Sequence, residues 1–517
     1  MKKIFTIICL LCSTVGNTFA QNPLIVKVAE GRLQGVQEKE VRIFKGIPYA
    51  AAPIGSLRWK EPQAAKPWKG IRDATHFGNR AMQRASYADM VFRSPRIDED
   101  CLYLNVWTNA KRPTEKLPVL VYFHGGGLSS GDGSEWRYDG ESMARRGIVV
   151  VTVNYRLGIF GFYAHPALTK QSTHTTSGNY GYLDQVAALL WVKKNIAAFG
   201  GDPSKVTIAG QSAGSISVSS LMASPLAKGL FRAAIGESGA VLASISPIPL
   251  QEAEQNGETF MKQVGIPSIE TLQQMPAEQL MELATKASKR FSPTVDGYYM
   301  PQSPLAIYET GLQADIPLLA GWTSAEVSYH HATGKDQLTQ ASYKQLLTNL
   351  YGAQAEEVLQ FYPANNDTEM LQSATDLASD RYIVHGTWKW MDLHAKTSGS
   401  VVYRYLFAKH FPEALDPRFI TKEPLLGAPH SSDISYALGN LPNNTFYKWT
   451  PADFDVSGKM QSYFVNFIKT GNPNGAGLPN WPGLQASIPK VMVFDTETKT
   501  IGEPHLKRFV FMDRFFE

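Results

Sequence analysis

The chain has 517 residues, 44% hydrophobic and 19% charged, a globular composition that excludes disorder, collagen and coiled coil as its main state. Lys plus Arg number 50 against 46 Asp plus Glu, a net charge of +4, which gives no electrostatic case for nucleic acid or an anionic membrane surface as partner. A chain of this length can bury a large core, so no disulfide or metal staple is needed to hold it.

From the N-terminus, Lys2 and Lys3 precede an apolar run over 4–15, too short to span a bilayer as a helix. Thr18 and Ala20 stand where a signal peptidase reads small residues. The reading is a cleavable signal peptide over 1–20, Gln21 as the new N-terminus, and a secreted or periplasmic protein. Leu11 before Cys12 argues against a lipoprotein. Cleavage removes Cys9 and Cys12 and leaves Cys101, so no internal disulfide is expected. No later apolar run is long enough for a membrane anchor.

Strands and helices then alternate. The runs 119–123, 148–153 and 206–209 are continuously apolar, the pattern of strands buried on both faces of a parallel sheet. Between the last two, Leu183, Val186, Leu190 and Ile196 recur at helical spacing over 183–198, and Gly200 stops the helix. This β–α–β crossover predicts an α/β fold, with a mixed, mostly parallel sheet covered by helices on both faces. Residues 251–290 and 340–395 read as helical insertions, the first capping the sheet, the second including helices at 343–351 and 355–362. Strands return at 401–407 and 492–494. A helix over 461–469 sets Tyr463, Phe464 and Phe467 on one face. With no repeat or linker, 21–517 reads as a single domain.

The strongest local signal is Gly210-Gln211-Ser212-Ala213-Gly214, between the strand at 206–209 and a helix-compatible run. In that context G-x-S-x-G is a nucleophile elbow, a turn too tight for side chains at either glycine. The second is His124-Gly125-Gly126-Gly127 directly after the strand at 119–123. Glycines there let backbone N–H groups approach an oxyanion, each such donor lowering the barrier by about 3 kcal/mol. One mechanism requires both signals, in this order.

Beyond these, the chain carries Phe44-Lys45-Gly46-Ile47-Pro48-Tyr49-Ala50, Glu99-Asp100-Cys101-Leu102, Asn154-Tyr155-Arg156-Leu157-Gly158, Gly178-Asn179-Tyr180-Gly181 and Phe199-Gly200-Gly201-Asp202-Pro203. Together these resemble the type-B carboxylesterase/lipase family, which is cholinesterase-like and has the α/β-hydrolase fold. The resemblance implies a Ser-His-Glu triad. Ser212 is its nucleophile. Glu326 is its acid, in Gly321-Trp322-Thr323-Ser324-Ala325-Glu326, with Val327 where the family usually has glycine. His430 is its base, in Gly427-Ala428-Pro429-His430, with Asp433 where the family has an acid. It also implies an oxyanion site of Gly126, Gly127 and Ala213, with Ser238 supporting the acid. In secreted relatives the cysteine matching Cys101 pairs with an earlier one; here that place holds alanine, so the thiol is expected to be free and buried, under a short loop.

These residues predict an exported serine carboxylesterase that hydrolyses a small-molecule ester through an acyl-enzyme and uses no cofactor. No histidine pair has zinc-site company, and no calcium loop is visible. His330 and His331 read as solvent-facing or pocket-lining, and Glu99, Asp100 and Arg156 as one ion-pair network. Trp322, Phe291, Tyr298 and Tyr299 are candidate pocket residues. Two other readings stay open: a catalytically inactive binding or adhesion protein on the same fold, and a lipase.

Overall fold

A computed structural model describes residues 24–84, 87–243, 245–334, 337–420, 426–485 and 489–515. The expected signal peptide lies outside them. The central sheet has eleven strands. In chain order they are β1 (Val36–Glu38), β2 (Val41–Pro48), β3 (Tyr103–Thr108), β4 (Leu117–Phe123), β5 (Val149–Val153), β6 (Gly201–Gln211), β7 (Ala233–Glu237), β8 (Leu318–Thr323), β9 (Val402–Phe407), β10 (Lys490–Phe494) and β11 (Lys499–Gly502). Across the sheet the order is β11-β10-β9-β8-β7-β6-β4-β5-β3-β2-β1. From β10 to β5 all neighbours are parallel. The edges are antiparallel.

The continuous apolar runs have a direct cause in β4. Val119, Val121 and Phe123 enter one core, with Val206 and Ile208. Leu120 and Tyr122 enter the other, with Ala209 and Ile235. Strand alternation therefore feeds two cores, and neither face can be polar. Helices α1 (Tyr180–Asn195) and α2 (Ala213–Ala223) cover the first face. Helices α3 (Asp433–Leu438) and α4 (Pro451–Thr470) cover the second, where Tyr463, Phe464 and Phe467 are buried as the periodicity predicts.

Three details differ from expectation. Strand β6 starts at Gly201 rather than at the expected 206, because Gly201 pairs with Leu117 across a register shift, so Asp202 and Pro203 fall within the strand. The insertion at Leu250–Val264, Ile269–Gln274 and Ala277–Lys286 packs on Trp59, Phe160, Tyr163 and Leu168 rather than capping the sheet. The predicted ion-pair network is two separate pairs. Arg156 binds Asp184 bidentately at 2.8 and 2.7 Å, whereas Glu99 binds Arg58 and Asp100 accepts from the Tyr103 hydroxyl.

Candidate active site

Four strands deliver the expected residues to one edge, beyond the carboxyl ends of the parallel strands where open α/β sheets bind ligands. β4 ends at Phe123 and leads into His124–Gly127; β6 ends at Gln211, one residue before Ser212. β8 ends at Thr323, three residues before Glu326, and the chain leaving β9 at Phe407 returns to this edge at His430.

Ser212 has φ 57° and ψ −124°, a conformation that costs a side-chain-bearing residue about 1–3 kcal/mol and needs enforcing neighbours. Its N–H donates to Glu237 O at 2.8 Å, and its carbonyl accepts from Ile216 N–H at 2.9 Å. The glycines are required by close approach. A Cβ on Gly214 would lie 2.0 Å from Phe123 O, and one on Gly210 would lie 2.5 Å from the Gly214 carbonyl carbon.

The glycine loop lies directly against the serine, since a Cβ on Gly125 would be 3.2 Å from Ser212 Cβ. Gly126 and Gly127 have φ of 106° and 64°. The Gly126 carbonyl is tied down by the Ser129 and Ser130 N–H groups at 3.1 and 3.0 Å. The N–H groups of Gly126, Gly127 and Ala213 have no acceptor among the described residues. That of Ala213 is also the open first N–H of α2, where the helix favours negative charge.

His430 donates through Nδ1–H to Glu326 Oε2. Glu326 is 2% exposed, and its Oε1 accepts from Thr323 N–H at 2.7 Å. The two loops are laced together: Ala325 N–H donates to Ala428 O at 2.9 Å, and Ala428 N–H to Ser324 Oγ at 2.8 Å. With Nδ1–H committed to the carboxylate, Nε2 carries the lone pair. The Gln211 side-chain amide approaches that nitrogen at 3.1 Å. Among the described residues Ser212 Oγ makes no hydrogen bond. Ser212 and His430 line one cavity of about 560 Å³, together with Gly125, Gly126 and Gln211.

Burial disfavours the His430 cation, but the charge and hydrogen bond of Glu326, with Asp433 and Asp89 farther off, outweigh it and hold the pKa above the ordinary histidine value. Beneath lies a buried acid cluster. Asp433 accepts from the Tyr405 hydroxyl at 2.8 Å and is pushed up to about 6, first by burial and then by Glu326. Glu237 accepts from the Tyr122 hydroxyl at 3.1 Å and is raised further, by burial and by Asp433. Sequence reasoning named Asp433 but missed Glu237, Tyr405 and Gln211; the middle position of the pentapeptide was the available signal for Gln211.

Other expectations are corrected. Among the described residues Ser238 Oγ is buried without a hydrogen-bond partner, so it lends Glu326 no hydrogen bond. Its backbone is what is engaged, at φ 52° with its N–H donating to Gly321 O. None of Trp322, Phe291, Tyr298 and Tyr299 lines the cavity. Trp322 packs on Phe509, Phe291 on Tyr163 and Phe260, Tyr298 on His174 and Tyr299 on Tyr182. His331 does line the cavity, while His330 stacks on Tyr329. Val327 lines it too, with no left-handed backbone that would demand glycine. Cys101 is free and buried, as expected.

Comparison with known proteins agrees with this architecture. The Carboxylesterase family matches residues 22–511. The para-nitrobenzyl esterase of Bacillus subtilis is 33% identical over 503 residues, 94% of this chain and 97% of its own. Human carboxylesterase 5A is 35% identical over 484 residues, 86% of this chain and 80% of its own. The crystal structure of a Geobacillus stearothermophilus carboxylesterase superposes with a TM-score of 0.80 at 33% identity, covering 94% of this chain and 99% of that one. The central sheet is thus that of the α/β-hydrolase fold, and the chain belongs to the carboxylesterase family, the type-B, cholinesterase-like group of carboxylic ester hydrolases.

Proposed function

We propose that this carboxylesterase works through an acyl-enzyme on Ser212, with His430 as base, Glu326 as its acid partner, and Gly126, Gly127 and Ala213 as oxyanion donors. The observation that carries the reading is the His430–Glu326 hydrogen bond. It leaves Nε2 as an acceptor in the cavity that Ser212 lines. Ser212 Oγ attacks the ester carbonyl while His430 Nε2 takes its proton, the Ser212 hydroxyl displacing the Gln211 amide from that nitrogen. The oxyanion meets the three unpaired N–H groups. Collapse expels the alcohol, which takes the proton from His430. Water, deprotonated by His430, then attacks the acyl-enzyme, releasing the acid and restoring Ser212. Glu326 fixes the tautomer and stabilises the imidazolium throughout.

Ser212→Ala should keep the circular dichroism of the wild type and lose turnover of a p-nitrophenyl ester; wild-type activity in that variant would overturn the reading. A fluorophosphonate probe should label Ser212, and failure to label would favour the inactive binding protein. Faster turnover of long-chain esters than of acetates, with activation at an oil–water interface, would favour the lipase.

We also propose export with cleavage after Ala20, on the strength of the N-terminal charge, apolar run and small residues. No helix among the described residues is long and apolar enough to cross a membrane. Mass spectrometry of the native protein should find Gln21 at the N-terminus; an intact Met1 in the cytoplasmic fraction would overturn export.

A further inference from the structure

The charges around the cavity are unequally compensated. Arg137 is held at 2.6 Å by both Asp89 and Glu135. Arg418, stacked on the wall residues Phe419 and Phe446, is held by Asp416 at 2.8 Å. Arg290 also lines the cavity, yet it makes no ion pair or hydrogen bond among the described residues. It stands beside the glycine loop, with a guanidinium nitrogen 3.9 Å from where a Cβ on Gly127 would be. A guanidinium is charged at every working pH and presents a rigid fork matched to a carboxylate. An open fork next to the proposed oxyanion donors is placed to hold an anionic group a few bonds from the reacting carbonyl. Aromatic residues elsewhere on the wall, Trp136, Phe446 and Tyr447, suit the apolar remainder of such a molecule.

We propose that Arg290 is a specificity residue that binds a free carboxylate on the substrate. The preferred substrates are then esters that carry a second, unesterified carboxylate, either half-esters of dicarboxylic acids or esters of aromatic hydroxy acids. This rests on the serine-esterase reading above. Arg290 is exposed, so the pair forms in partly hydrated surroundings and contributes at the upper end of what open ion pairs give.

The test uses two pairs of esters. The first is mono-4-nitrophenyl adipate against its methyl-capped counterpart. The second is 4-acetoxybenzoate against its methyl ester. The readout is the ratio of kcat/KM, carboxylate over capped, within each pair. In at least one pair the wild-type ratio should be about five and should fall as salt is added. It should drop to about one in Arg290→Gln, fall below one in Arg290→Glu, and be partly kept in Arg290→Lys, which retains the charge but loses the fork. The responsive pair identifies whether the acyl or the alcohol side meets Arg290. A wild-type ratio at or below one in both pairs, or a raised ratio that persists in Arg290→Gln, overturns the proposal while leaving the hydrolase reading intact. Absence of turnover on all four esters overturns both.

Discussion

Gln211→Glu puts a carboxylate where an amide nitrogen now lies 3.1 Å from His430 Nε2. At that distance one full charge is worth about 5 kcal/mol at an effective dielectric of about 20 and about 1 kcal/mol in bulk water. In titration these correspond to about four and about one pH units. His430 keeps 22% of its side chain exposed and faces an open cavity, so the low end applies, about one to two units. The sign follows from which form works. The neutral imidazole is the base, so kcat/KM rises with pH through the His430 pKa, which Glu326 already holds above the ordinary value. A second carboxylate favours the cation further, and the acid limb must move to higher pH. The assay is the pH profile of kcat/KM on p-nitrophenyl acetate for wild type, Gln211→Glu and Gln211→Met, the last removing the amide without adding charge. Superimposable limbs for wild type and Gln211→Glu, or an equal upward shift in Gln211→Met, would refute the reasoning.

Three further outcomes test the site and its frame. Glu326→Gln removes the carboxylate that holds the tautomer and should lower kcat by about 10³–10⁴ with KM little changed, while the acid limb moves down because the raising charge is gone; a loss under ten-fold in steady-state kinetics would count against this. Gly214→Ala forces a methyl to 2.0 Å from Phe123 O, where no side-chain rotation relieves it, and should cost about 3 kcal/mol or more in urea denaturation; an unchanged midpoint would contradict the packing. Asp184→Asn leaves the buried Arg156 guanidinium without its counter-charge and should cost about 3–5 kcal/mol at pH 7, so a loss below 1 kcal/mol would mean that the pair is not buried as described.

The legible parts of the chain were those where one physical constraint acts alone. Val119 to Phe123 read as a doubly buried strand because both faces of β4 are covered, and residues 210–214 read as a tight turn because a side chain at Gly214 would collide with Phe123. What was lost needed knowledge of which way a side chain points. Trp322 sits on a strand that ends at the site, yet alternation turns it to Phe509. Amphipathic helices at 250–286 announce an apolar face without saying that Trp59 and Phe160 will cover it. Gln211 and Glu237 are ordinary in sequence, and only the parallel pairing of β6 with β7 sets them opposite each other at the strand ends. Arg290 becomes notable only once every neighbouring charge has been matched.

Cys101 is 1% exposed, and burial, more than the nearby Asp184, raises its thiol pKa well above the ordinary value. It is the sole cysteine among the described residues. The described residues are therefore held by the two cores on either side of the sheet and by no disulfide among themselves. Synthesis in a reducing cytosol should yield the same folded product as passage through an oxidising compartment, and dithiothreitol should leave its melting temperature where it was.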